Sequence, residues 1–185
     1  MAKVIEAEGG FKVWWHLMRP HTLTASFAPV LLGTAVAAVE GYELNVWMFL
    51  AMLVASLLIQ AATNMFNEYY DFKRGLDNEN SVGIGGTIVR HGVAPQTIMI
   101  IALSFYLIAM ILGVYICANS SWWLVAVGLV CMLIGFLYTG GPFPIAYSPF
   151  GELVSGAVMG MGIVLISFFI QTKIVTLDAV LIRVP

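Results

Sequence analysis

Gln60, Asn64, Asn67 or Glu68, and Asp71 recur at helical spacing, and Asp77 follows after Gly75. On one helix they form a polar stripe. Carboxylate and amide oxygens converging on one spot are hard ligands. They suit Mg²⁺, which takes one or two carboxylates together with substrate phosphates. Lys73 and Arg74 stand next to them, and Arg90 and His91 close the glycine-rich stretch from Gly83 to Gly92. Carboxylates mixed with cations fit a Mg²⁺–diphosphate pair better than a bare Ca²⁺ cage. Backbone N–H groups of the glycine-rich stretch could also touch phosphate oxygens. The alternative is a solvated connection between helices with ordinary surface charge.

The elements that must position these residues are membrane helices. Of 185 residues, 61% are hydrophobic and 10% are charged, with a mean hydropathy of +0.94. A soluble domain carries about 25% charged residues. The net charge is -2, so no basic excess attracts nucleic acid. A soluble globular protein, a disordered chain and a nucleic-acid binder are excluded. Cys117 and Cys131 lie inside apolar runs and read as buried small hydrophobes.

A helix needs about 20 apolar residues to cross the hydrocarbon core. Five stretches qualify: Thr22 to Val39, Val46 to Phe66, Thr97 to Ala118, Trp122 to Thr139, and Phe150 to Gln171. The expected fold is all-α, a polytopic transmembrane helix bundle. Gly156-x-x-x-Gly160 predicts a helix-packing face. Before the first span, Phe11, Trp14, Trp15 and Met18 predict one apolar face of a short interfacial helix. Residues 1–21 are therefore expected to be a tail plus that helix, and residues 22–185 a transmembrane domain. No short apolar region with a cleavage site follows the acidic opening, so the first span is expected to direct insertion.

Placing the N-terminus in the cytoplasm puts Lys3, Lys12, Arg19, Lys73, Arg74 and Arg90 inside, with only Lys173 and Arg183 outside. The expected location is a cell membrane, with the acidic connection facing the cytoplasm. Gly83-Ile84-Gly85-Gly86 is not a dinucleotide fingerprint, because Ile88 stands where the third glycine belongs. The insert from Tyr138 to Glu152 has three glycines, three prolines and no basic residue. It reads as a stiff linker, with Tyr138, Tyr147, Ser148 and Glu152 as its possible contacts.

Asn64-x-x-Asn67-Glu68-x-x-Asp71 followed by Gly75-x-Asp77 resembles the first Asp-rich motif of the UbiA-type membrane prenyltransferases. Arg19-Pro20-x-Thr22-Leu23, the spacing from Asp71 to Asp77, and Tyr138-Thr139-Gly140-Gly141-Pro142 are most similar to the 1,4-dihydroxy-2-naphthoate branch of menaquinone biosynthesis. The resemblance runs from about Trp15 to the end of the sequence. It implies Mg²⁺-dependent transfer of a polyprenyl group from its diphosphate to an aromatic acceptor, with loss of the acceptor carboxylate as CO₂.

By the same resemblance, Asn64, Asn67, Glu68, Asp71 and Asp77 hold the metal, and Arg19, Lys73, Arg74 and Arg90 bind the diphosphate. Asp71, Lys73, Arg74 and Tyr138 are the expected catalytic residues, and Tyr69, Tyr70 and Tyr138 the aromatic faces for an allylic cation. Two departures bear on this. The family often has Asp where this sequence has Glu68. Its enzymes also have nine helices and a second Asp-rich motif, whereas the only acid after Glu152 here is Asp178. Three alternatives follow: the sequence is a fragment, a second chain carrying the other helices completes it, or it is not an active enzyme by itself, and the five spans are expected to be inactive unless complemented. Two other readings remain: a non-catalytic membrane protein, such as a transporter half or an assembly partner, and the same superfamily with 4-hydroxybenzoate as acceptor.

Overall fold

The structure, a computed structural model, describes residues 10–77, 86–141 and 143–174. Lys3, Gly83 to Gly85, Pro142, Asp178 and Arg183 lie outside the described residues. All regular structure among the described residues is helical: α1 (Phe11–Met18), α2 (Pro20–Val39), α3 (Val46–Lys73), α4 (Thr87–His91), α5 (Pro95–Asn119), α6 (Leu124–Leu137), α7 (Gly151–Ser155) and α8 (Ile163–Thr172). A 3₁₀ turn covers Ile145–Tyr147, and a π-helical segment, Gly156–Gly162, joins α7 to α8. The expected all-α polytopic bundle is found.

Among the described residues, four helical rods are long and apolar enough to cross a membrane: α2, α3, α5 and the rod Gly151–Thr172. The expected fourth span is corrected. Its helix, α6, has 14 residues and rises only about 21 Å. Trp122 and Trp123 form a turn ahead of it, and the chain leaves the helix again around Tyr138 and Thr139.

Val13 and Leu17 are buried against Ala62, Met65, Phe66 and Ile88, with Trp14 and Met18 packed beside them. Phe11 and Trp15, one turn apart, stack at 5.8 Å on the other side and are 73% and 48% exposed. The stripe of Phe11, Trp14, Trp15 and Met18 thus straddles the edge of the buried side, with Trp14 and Met18 against the core and Phe11 and Trp15 away from it. Arg19 joins α1 to α2 in the left-handed region (φ 49°), and Pro20 begins α2.

Between apolar helices in lipid, close packing replaces the hydrophobic effect as the main attraction. α3 packs chiefly on α5, and α2 on α8. Phe66 of α3 meets Tyr106 of α5 edge-on at 5.1 Å and Phe136 of α6 at 5.2 Å. Gly33 is where α2 touches α8: a Cβ there would stand 2.3 Å from the Val164 carbonyl oxygen. Gly156 and Gly160 instead meet nothing within 4 Å among the described residues. The expected packing face is thus not used by the described helices, and Gly33 takes that role.

Asn45 sets the start of α3. Its side-chain oxygen accepts from the Trp47 and Met48 N–H groups at 3.0 and 3.1 Å, satisfying two open donors of the first turn. Its own backbone is clasped by Gln171 of α8, whose Oε1 accepts from the Asn45 N–H at 2.8 Å.

Candidate active site

The polar stripe of α3 divides into two edges. Gln60, Asn64 and Glu68, four residues apart, face α2 and the α1–α2 junction. Gln60 Oε1 accepts from Ser26 Oγ at 3.3 Å. Asn64 Nδ2 donates to the Met18 carbonyl at 2.8 Å and to Thr22 Oγ1 at 2.7 Å. Glu68 Oε2 pairs with Arg19 Nη2 at 3.3 Å, and its Oε1 accepts from the Ile88 N–H of α4 at 3.2 Å. Asn67, Asp71 and Arg74 form the second edge and face the chain that follows α6. Asn67 Oδ1 accepts from Thr139 Oγ1. Asp71 Oδ1 accepts from the Tyr147 hydroxyl at 2.9 Å. Arg74 Nη2 donates to the Gly141 carbonyl at 2.9 Å.

The insert after α6 is therefore more than a linker. Three of its residues dock on three successive polar positions of α3. Gly141 takes a positive φ of 79° to make its turn. A Cβ on Gly140 would reach 2.6 Å from the Phe136 carbonyl, so only glycine fits against the end of α6. Thr22 and Thr139 stand in the quoted motifs without an assigned role, and Ile88 has none either. Their contacts use a backbone N–H and two hydroxyls, groups that carry no distinctive sequence signal.

Arg74 lies over the Tyr70 ring at 5.5 Å and the Tyr147 ring at 5.8 Å. Its Nη1 is buried without a hydrogen-bond partner among the described residues. Tyr69 and Tyr70 meet edge to face at 5.3 Å, and Tyr70 continues to Phe136 at 5.9 Å. Lys73 is exposed at the end of α3. Arg90, on α4, bears on Asp77 electrostatically. Tyr147 sits in the 3₁₀ turn, and its hydroxyl is held above the usual phenol range, first by burial and then by the Asp71 carboxylate.

Among the described residues, no three His, Cys, Asp or Glu side chains gather closely enough to make a metal centre by themselves. Mg²⁺ does not require one, because it uses one or two carboxylates and keeps its remaining positions for water and phosphate. The Asp77 carboxyl is pushed above its ordinary range by burial, then by the charges of Glu68 and Asp71, against the opposing pull of Arg19 and Arg90. The carboxylates of Glu68 and Asp71 therefore both act on Asp77 at the head of α3, and carboxylate oxygens are the hard donors that Mg²⁺ takes.

Further along α3, toward the membrane centre, a cavity of about 280 Å³ opens between α3, α5, α6 and the last rod. Its walls include Met52, Ile59, Met110, Val125 and Met159, with Tyr138 also part of the lining. One helix therefore lines an apolar chamber with its middle and carries carboxylates and amides at its end.

An apolar chamber beneath a polar head, inside a bundle of membrane-length helices, is the shape of a site for an amphiphilic molecule. The chain belongs to the UbiA prenyltransferase family, whose model matches residues 26–185. That family generally uses Mg²⁺ with a polyprenyl diphosphate donor and an aromatic acceptor. The chain is 63% identical over 174 residues to the 1,4-dihydroxy-2-naphthoate octaprenyltransferase of Bacillus subtilis (strain 168), covering 94% of this chain and 56% of that protein. It is 34% identical to the protein of the same description from Mycobacterium tuberculosis (strain ATCC 25618 / H37Rv), over 77% of this chain and 48% of that protein. It is also 30% identical to UbiA prenyltransferase domain-containing protein 1 of Xenopus tropicalis, over 91% of this chain and 49% of that protein. The chain spans about half the length of these curated relatives.

Proposed function

We propose that the protein transfers a polyprenyl group from its diphosphate to 1,4-dihydroxy-2-naphthoate. The observation that carries this reading is the continuity of α3, which brings a polar head and an apolar chamber onto one rod. The 63% identity to the Bacillus subtilis enzyme favours the naphthoate acceptor.

Asn67, Asp71 and Asp77 hold Mg²⁺ in this reading, at the end of the stripe completed by Asn64 and Glu68. When bound, Mg²⁺ supplies positive charge that stabilises the departing diphosphate. Arg19, Lys73, Arg74 and Arg90 bind diphosphate oxygens, and a guanidinium does so with paired N–H groups. Tyr69, Tyr70 and Tyr138 offer ring faces to the allylic cation. The chamber holds the prenyl chain and keeps water from the cation.

The test uses the intact protein in its membrane, with Mg²⁺, a polyprenyl diphosphate, and either 1,4-dihydroxy-2-naphthoate or 4-hydroxybenzoate. Prenylated product is expected with the naphthoate alone. Product from 4-hydroxybenzoate only, or from neither acceptor, would sink the proposal.

Tyr147→Phe should raise the half-activating Mg²⁺ concentration about tenfold. It removes one hydroxyl from Asp71, and groups behind a metal ligand are worth about 10–100-fold. An unchanged Mg²⁺ titration would show that the hydroxyl does not tune the site.

We also place the α3 C-terminus in the cytoplasm, with Glu40 and Glu43 on the opposite side. A membrane-impermeant thiol reagent outside the cell should label a cysteine introduced at Glu43 and spare one at Lys73. The reverse pattern would invert the topology.

A further inference from the structure

Glu68 is 1% exposed, a burial that a carboxylate tolerates only when paired. Each of its oxygens has a partner on a different element. Oε2 faces Arg19 at the left-handed junction between α1 and α2. Oε1 accepts from the Ile88 N–H, in the first turn of α4. Two residues further along α4 comes Arg90, whose guanidinium lies against Gly86. One buried carboxylate therefore ties down the two short elements that carry Arg19 and Arg90.

We propose that Glu68 is a positioning residue that fixes Arg19 and Arg90 for the diphosphate donor, and is not itself a metal ligand. This rests on the prenyltransferase reading above. Three observations support it. Both oxygens are engaged by protein groups. The edge to which Glu68 belongs is turned toward α2 and the α1–α2 junction, where Gln60 and Asn64 make helix-to-helix bonds of the same kind. Asn67 and Asp71 belong to the other edge. Glu also has one methylene more than Asp, which lengthens its reach from α3 to Arg19 and to α4.

The test is Glu68→Gln in the intact protein. It removes the charge but keeps the shape and one acceptor. Three quantities are read: the donor KM, the half-activating Mg²⁺ concentration, and amide hydrogen exchange across residues 11–18 and 87–91. The donor KM should rise by about tenfold or more, because a broken buried pair frees both elements. Exchange in both segments should quicken by a similar factor, while half-activating Mg²⁺ stays within about twofold.

A tenfold rise in half-activating Mg²⁺ would overturn the proposal and make Glu68 a ligand. Unchanged exchange in both segments would overturn it as well. If Glu68→Gln does not accumulate, Arg19→Gln decides. It should raise donor KM and quicken exchange in residues 11–18 with Mg²⁺ dependence unchanged, and an unchanged donor KM would overturn the proposal. Should the wild-type protein show no transfer at all, the functional reading fails, while hydrogen exchange still tells whether Glu68 holds the two elements.

Discussion

Asp71→Ala is expected to lower prenyl transfer by about 100-fold or more, because a metal's charge at a leaving group is worth several kcal/mol and each 1.36 kcal/mol is tenfold. Asp71 is the acidic group of the second edge of α3, and its Oδ1 already accepts from Tyr147 at 2.9 Å. Asp77 feels its charge directly. The loop after α6 should stay docked, since Arg74 still holds Gly141 and Asn67 still holds Thr139. The loss should therefore fall on kcat/KM, with the thermal midpoint of the purified protein little changed. Activity within about threefold of wild type would remove Asp71 from the chemistry, since that is less than 1 kcal/mol of transition-state stabilisation.

Gly33→Val is expected to be the most damaging change to the fold. The added Cβ would lie 2.3 Å from the Val164 carbonyl oxygen, 2.8 Å from Ser167 Cβ and 3.0 Å from the Phe168 nitrogen. Two of those atoms are backbone and cannot swing aside. α2 must lift off α8, which opens the layer containing Ala37 and Phe168. Overpacking costs about 1–3 kcal/mol, and valine at a backbone contact should reach the upper end. Gly33→Ala should share most of the loss, because the clash is already at Cβ. Gly156→Ala and Gly160→Ala should be near neutral by the same measurement, thermal unfolding in detergent. A Gly33→Ala protein that unfolds with wild-type behaviour would refute the packing argument.

Much of the fold was legible in the sequence. Long apolar runs located the start of α3 and both ends of α5 to within two residues, because lipid leaves a spanning chain few alternatives to a helix, whereas α3 continues past the expected Phe66 to Lys73. The extent of α6 was not legible. Hydropathy counts apolar residues, and it does not register that Trp122, Trp123 and Tyr138 lie in turns. The spacing of Gln60, Asn64, Glu68 and Asp71 gave the stripe correctly. Its division into two edges depends on which neighbour stands opposite, Ser26 and Arg19 on one side or Thr139 and Tyr147 on the other. These partners are 34 to 76 residues away in sequence. The glycine pattern misled for a similar reason: Gly156-x-x-x-Gly160 has the spacing for a close approach, but Gly33 has the neighbour.

The length of α3 has a consequence for how the proposed donor is supplied. Its 28 residues rise about 42 Å, against a hydrocarbon core of about 30 Å. Polar head and apolar chamber are thus spaced as a lipid's own headgroup and tail are. A polyprenyl diphosphate can enter sideways from the bilayer without exposing its chain to water, at about 0.8 kcal/mol for each methylene kept in an apolar environment. The donor then behaves as a two-dimensional solute. Its effective concentration is a mole fraction in the membrane, and diluting the membrane with inert lipid should slow the reaction even when the amount of donor per millilitre is held constant.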